Sequence, residues 1–489
     1  MNKLYIFGIG GTGVRVIKSL TFLLASGVKL NNDFEIVPII IDPHAENENL
    51  KQTTSLLKLY EKIRNEVGEG SGFFNTKIRT LKSISQNDTI PDTYNFKLGG
   101  SNHQKFKDFL SFDSLSESTK ALIKTLFSDE HLDTDMDIGF VGNPHMGSIV
   151  LNKFRNSQEF KAFANNFSKD DRVFIISSIF GGTGASGFPM ILKNIRRAHE
   201  FPELANKELL TNAAIGGLCI QPYFSVDADD TSQIQKSDWM IKTKSAFDYY
   251  KKAVTAQGAE SVNAMYYLAD NISKSYKNDP GQDGQNNPAH MVEMLGALCI
   301  IDFLNAGIST LQCENGKPSG PVAKEFGIHS DQAVTDLQSF GENTKRMISK
   351  PLTKLFLGLK YFNENIQDSK SQAYMQSTPE FNESFFSSTF LGTDMKQFFG
   401  MFEYWLSEME SNERGFRPFN MKSNLTDCIN GYQATPKGLF RSKLTFIDYN
   451  NFLNDAAVGK TFRSATVKFL KIIHEAGDRT INEYFKSLN

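Results

Sequence analysis

The sequence predicts an α/β protein, with a doubly wound, mostly parallel sheet of Rossmann-like type followed by a mainly helical C-terminal region. Three observations carry this. From residue 4 to about residue 305, short apolar runs suited to strands buried on both faces alternate with helical apolar stripes. Two of the runs lead straight into glycine-rich loops that open helices, at Gly8 to Gly13 and at Phe180 to Gly187. Past Gly316-Lys317-Pro318-Ser319-Gly320-Pro321, a linker by composition, strand alternation stops and helical stripes take over. The expected division is residues 1–310 and 311–489, with a helical insertion over about 48–135 and a buried connecting helix over about 288–305.

Taken in order, Leu4-Tyr5-Ile6-Phe7 reads as a strand that enters Gly8-Ile9-Gly10-Gly11-Thr12-Gly13. A helix then carries Val14, Ile17, Leu20 and Leu24 and stops near Gly27. Alone, Gly8-x-Gly10-x-x-Gly13 is also a dinucleotide fingerprint, and Asp42 at the end of the next strand (34–41) is the acid a ribose would need. Pro38 inside that strand removes a ladder donor and predicts a bulge or a shortened strand. Helices are expected at 104–112 and 119–127, a strand at 137–141, the turn Gly142-Asn143-Pro144-His145-Met146-Gly147, and a helix over 148–163.

The central unit runs from Arg172 to Ala198. Val173 to Ile176 is an unbroken apolar run, and Phe188, Ile191, Leu192, Ile195 and Ala198 form one face of a helix. Between them, Gly181, Gly182, Gly184 and Gly187 leave main-chain N–H groups free to close around an anion at the positive end of a helix. Thr183 and Ser186 are candidate hydroxyl donors, and Pro189 is expected in the first helical turn, where its missing N–H is harmless. No lysine follows the last glycine, so this is not a P-loop of the GxxxxGK(S/T) kind. Further strands are expected at 213–220 and 264–268, and then an all-apolar helix at 288–304.

In their order and spacing these segments resemble the tubulin and FtsZ family of GTP-binding proteins. Gly181 to Gly187 is similar to the family signature GGGTG(S/T)G, with Phe180 at its first glycine and Ala185 between the final pair. Gly8 to Gly13 resembles the first glycine loop, Gly142 to Gly147 the GANPEVG turn, and Cys219-Ile220-Gln221-Pro222-Tyr223 the TxPF stretch. The resemblance implies GTP or GDP, with ATP the nearest alternative, accompanied by Mg²⁺. It implies phosphate contacts from Gly10, Gly11, Thr12 and Gly13, from Asn143, Pro144, His145, Met146 and Gly147, and from Gly181, Gly182, Thr183, Gly184, Ala185 and Ser186. It places Arg15 and His290 where the family contacts the base or ribose, Asp227 at the ribose, and Asp270 and Asn271 at guanine. The family's acidic pair after the connecting helix is missing. Glu314 is the one candidate catalytic substitute, so hydrolysis is expected to be weak or dependent on assembly.

Composition limits the other classes. A net charge of −2 recommends neither nucleic acid nor an anionic membrane as partner, and no apolar run is long enough to span a bilayer. Four scattered cysteines form no metal or disulfide pattern, and the reading is a cytoplasmic protein. Many of the 41 phenylalanines fall after residue 350 and point to a separate core or a surface for self-association or a protein partner. Two alternatives stay open: a Rossmann-type dinucleotide-dependent enzyme, and a nucleotide-bound interaction protein without turnover.

Overall fold

The computed structural model describes residues 1–30, 34–43, 47–96, 104–136, 140, 143–227, 236–256, 260–271, 275–277, 286–319, 322–325, 334–435 and 443–488. Its centre is a six-stranded, all-parallel sheet. The strands are β1 (Asn2–Ile9), β2 (Phe34–Ile41), β3 (Arg172–Ser178), β4 (Ala214–Ile220), β5 (Ala264–Leu268) and β6 (Val322–Glu325). They lie side by side in the order β6-β5-β4-β3-β1-β2. β1, β3 and β4 are buried nearly throughout, as their apolar runs require.

Helices cover both faces. Alternate residues of β1 part the core: Leu4 and Ile6 join one apolar layer, while Tyr5, Phe7 and Ile9 join the other. The first layer contains α1 (Gly10–Ala25), α2 (Glu48–Val67) and α7 (Met291–Asn305); the second contains α3 (Pro144–Leu151), α4 (Gln158–Asn166) and α5 (Gly182–Arg196). Tyr250, late in α6 (Lys236–Ala253), also packs in the second layer. The C-terminal helices α8 (Glu342–Glu364), α9 (Lys396–Glu410), α10 (Phe446–Ala457) and α11 (Ala465–Tyr484) extend the first layer instead of forming a separate core. On α9, Trp405 packs on Phe22 with ring centroids 5.0 Å apart and donates its indole N–H to Ser19 Oγ at 3.3 Å. Beside it, Lys18 and Glu408 form a buried ion pair at 3.0 Å. Phe398 and Phe402 of α9 pack on Phe22 in the same core, with Phe398 also against Phe74.

Several expectations need correction. β2 is neither bulged nor shortened by Pro38. Ile36 and Ile40 turn their N–H groups away from β1, toward Lys77 and Tyr94 carbonyls at 2.8 Å. Pro38 shares that parity and faces the gap between the two outer bridges, where no ladder donor is required. The helix expected over 148–163 is two helices, because Ser157 caps a new start at α4. β6 lies beyond the expected boundary at 310, and Lys317–Pro318 in the expected linker pairs with Cys313–Glu314. Apart from Phe140, the strand expected at 137–141 lies outside the described residues.

Pro189 is the instructive case. α5 begins at Gly182, inside the glycine run, so Pro189 is interior and not in the first turn. An interior proline leaves the carbonyl four residues earlier without its helical donor. That carbonyl is Ala185, and it accepts from Tyr250 Oη at 3.1 Å, with Gly184 O at 3.3 Å from the same hydroxyl. A long-range side chain replaces the lost bond.

Candidate functional site

The strand order reverses direction between β1 and β3: from β1 the chain crosses to β2 on one side, then returns to build β3 to β6 on the other. In an open parallel sheet a crevice forms at such a switch point, beyond the carboxyl ends of the two strands. Both glycine loops are there, since β1 feeds α1 at Gly10 and β3 feeds α5 at Gly182. Neither helix has a side-chain cap, and neither carries an acid in its first turn. By contrast, Asn47, Asn143, Ser157, His290 and Ser464 each cap their own helix. Two helix ends without a side-chain cap thus stand side by side, and the partial positive charge of both collects in one place.

The approach is close. Gly10 has φ +68°, and a Cβ there would stand 3.6 Å from Thr183 Cβ and 3.7 Å from Gly184 N. A Cβ on Gly184 would meet Ser178 O at 2.6 Å, so only glycine lets α5 leave β3 at this angle. Gly147 packs on Ser186 Oγ in the same way, which brings the α3 turn to the first turn of α5. The three loops expected to converge do converge.

Side chains at these loops behave less simply. Ser186 is buried, and its hydroxyl donates to its own helix at Gly182 O (2.7 Å) and Thr183 O (3.2 Å). It is therefore not a free donor to an incoming anion. Thr183 is half-buried, Ala185 is buried, and Gly11, Thr12 and Gly13 lie in the first turn of α1. Asn143 caps α3, with Oδ1 accepting from His145 N at 3.0 Å and Met146 N at 3.3 Å. Pro144 follows at the first helical position. His145 is exposed and Met146 is in the core. Gly142 lies outside the described residues. Asp42 is buried just past the end of β2.

Beneath the α1 loop is a buried polar cluster. Arg15 Nε donates to Glu293 Oε1 at 2.5 Å, and Arg15 Nη2 donates to Tyr223 Oη at 2.9 Å. Tyr223 Oη in turn donates to Glu293 Oε1 at 2.5 Å. Burial by itself would lower the Arg15 pKa, but the Glu293 carboxylate outweighs it and holds the guanidinium above its ordinary value. The other oxygen of Glu293 accepts from His290 N, and His290 Nδ1 accepts from Val292 N at 3.1 Å, a capping box at the start of α7. Nδ1 must stay unprotonated for this, in keeping with burial pushing the His290 pKa down. Phe180, Tyr223 and Phe224 pack edge to face over the cluster.

The residues expected at the base are thus largely committed within the protein. Arg15 and His290 belong to this cluster, and Asp270 pairs with Arg414 at 3.0 Å. Asn271 is exposed. Asp227 ends a short strand, Ser225–Asp227, and the contact expected of its side chain lies outside the described residues. Tyr223 and Glu293 were not anticipated as site residues. Glu293 carried a signal, since it stands three residues after a helix-capping position and before an apolar run.

Glu314 is exposed on a two-residue strand at the opposite end of the sheet. It borders a cavity of about 1010 Å³ shared with Asn2, Phe34, Arg172 and Ala214, the first residues of β1 to β4. It takes no part in the crevice of its own chain. Among the described residues, no cluster of His, Cys, Asp and Glu is arranged to hold a metal, and no helix is long and apolar enough to cross a membrane.

No family model and no curated protein matches the sequence. Among solved structures, CetZ from Methanosaeta thermophila strain DSM 6194 is similar over 55% of this chain and 46% of that one, at 11% identity and a TM-score of 0.26. The chain thus matches less than half the length of that protein, a likeness too slight to assign a fold family.

Proposed function

We propose that this chain is a tubulin/FtsZ-like protein that holds a guanine nucleotide, GTP or GDP in preference to ATP, and uses it to assemble or to switch. The observation that carries the reading is the pair of uncapped, acid-free helix ends flanking the β1–β3 switch point, with Gly10 facing Thr183 and Gly184. A phosphate chain fits such a place, because oriented amides and two helix dipoles favour anions there. The main-chain N–H groups of Gly10 to Gly13 and Gly181 to Gly184 would hold the phosphates, and Mg²⁺ would share their charge; the Ala185 N–H already donates to Gly181 O at 3.2 Å. The guanine end is the weaker part, since Asp270 and His290 already have partners. The cytoplasm is the expected compartment, and the helices after residue 310 are the expected surface for self-association or a partner.

Hydrolysis within one chain is not supported. Glu314 is at the far end of the sheet, where it would reach a nucleotide only across a contact between subunits. Without a positioned water, glycine loops bind ground and transition states alike. One observation favours the dinucleotide reading instead, the buried Asp42 at the end of β2. Calorimetric titration with GTP, GDP, ATP and NAD separates the two. Saturable binding of GTP and GDP is expected; binding of NAD alone would overturn the proposal.

A further inference from the structure

A second polar cavity, of about 1270 Å³, opens where the C-terminal helices α8 and α11 meet the loops after α1 and α2. Arg346, Lys350 and Lys354 recur every fourth residue on α8, so they form one stripe along its wall. Lys29 faces them from the loop after α1. The acids of the cavity already have cations: Asp478 has Lys354 at 3.6 Å, Glu475 has Lys460 at 2.7 Å, and Asp455 has Arg479 at 2.5 Å. Lys354 also points its Nζ at His474 Nε2, 2.8 Å away. Lys29, Arg346 and Lys350 form no ion pair among the described residues; burial lowers the pKa of Lys354, and the positive charges of Lys350 and Lys29 push the same way against Asp478.

A solvated cationic face would ordinarily spread such charges over a convex surface. Here they ring a concavity wide enough for a small molecule, with unmatched charge close to that of a diphosphate. We propose that this cleft binds a small polyanion bearing two or more phosphate groups. The ligand would cross-link the end of α1 to α8 and α11. It is distinct from the crevice ligand, because the crevice lies at the first residue of α1 and Lys29 follows its last turn, roughly 24 Å away along the helix axis.

The test uses the full chain, with inorganic pyrophosphate as the probe and sulfate at equal ionic strength as the control. Two variants separate the sites: Arg346→Glu with Lys350→Glu in the cleft, and Gly10→Ala in the crevice. Because both cleft substitutions are on the outer face of α8, folding is checked by melting temperature, and Lys350→Gln alone serves if the double variant fails. One pyrophosphate-binding event should survive Gly10→Ala and weaken about tenfold or more in the double variant, or about threefold in Lys350→Gln. The proposal is overturned if no binding is seen or if all of it vanishes in Gly10→Ala. It is equally overturned if the cleft variants leave every event unchanged, or if sulfate competes equally.

Discussion

Replacing Gly10 by alanine isolates the crevice from the stability of the fold. Two effects oppose wild-type behaviour, and the structure gives each a size. The backbone at Gly10 has φ +68°, where an L side chain costs about 1–2 kcal/mol. The added methyl meets no protein atom closer than 3.6 Å, so no collision adds to that figure. Against a typical domain stability of about 5–15 kcal/mol, the variant remains folded and melts a few degrees lower. The same methyl fills the gap between Gly10 and the first turn of α5, where phosphate oxygens would approach the amides. Losing one charge-assisted bond there, about 1.5–3 kcal/mol, weakens nucleotide binding by roughly tenfold to a hundredfold or more. Scanning calorimetry and a fluorescent-GTP titration read the two effects separately. Gly184→Ala is the contrasting variant, since its methyl strikes Ser178 O and should impair folding itself. A Gly10→Ala protein that melts as expected yet binds GTP with unchanged affinity would refute the location of the phosphates.

Three further outcomes follow from the packing. Glu293→Gln strips the buried Arg15 of its countercharge and should cost about 3–5 kcal/mol by urea denaturation, while Arg15→Gln with Glu293→Gln should recover part of that; strictly additive losses would deny the coupling. Tyr250→Phe removes the hydroxyl that serves Ala185 and Gly184 carbonyls beside Pro189 and should cost about 1 kcal/mol; no loss would mean those carbonyls find other donors. Burial and the neighbouring Lys354 ammonium hold His474 down to about 4, so below pH 6.5 the unfolded chain takes up a proton that the fold refuses. Stability present at pH 7 should fall between pH 6.5 and about 4 by on the order of 3 kcal/mol, and His474→Gln should flatten that slope; an unchanged slope would assign it to other groups.

The sheet was legible because its central strands are apolar runs of the right length bounded by glycine or polar residues. The two glycine loops were legible for a similar reason: glycine at a strand end before a helix is local chemistry. What escaped depends on distant partners or on parity. Pro38 looks disruptive until the direction of its neighbours' N–H groups is known. Pro189 looks like a first-turn residue until α5 is seen to start within the glycines, with Tyr250 supplying the missing donor. β6 reads Val-Ala-Lys-Glu, too short and too charged to stand out, and it is a strand only because β5 is beside it. Arg15 meets Glu293 across 278 positions of sequence, so no local pattern could show that both were already engaged. The late phenylalanines suggest a separate core or a contact surface because sequence order hides that α9 docks on α1.

On the proposed function, a guanine nucleotide sits in the β1–β3 crevice of the protein as purified. The most direct measurement is to denature freshly purified protein and identify the released small molecules by anion-exchange chromatography, for wild type and for Gly10→Ala. GDP or GTP approaching one equivalent per chain in the wild type, and strongly depleted in the variant, is the predicted result. NAD in its place, or guanine nucleotide retained equally by Gly10→Ala, would contradict the account.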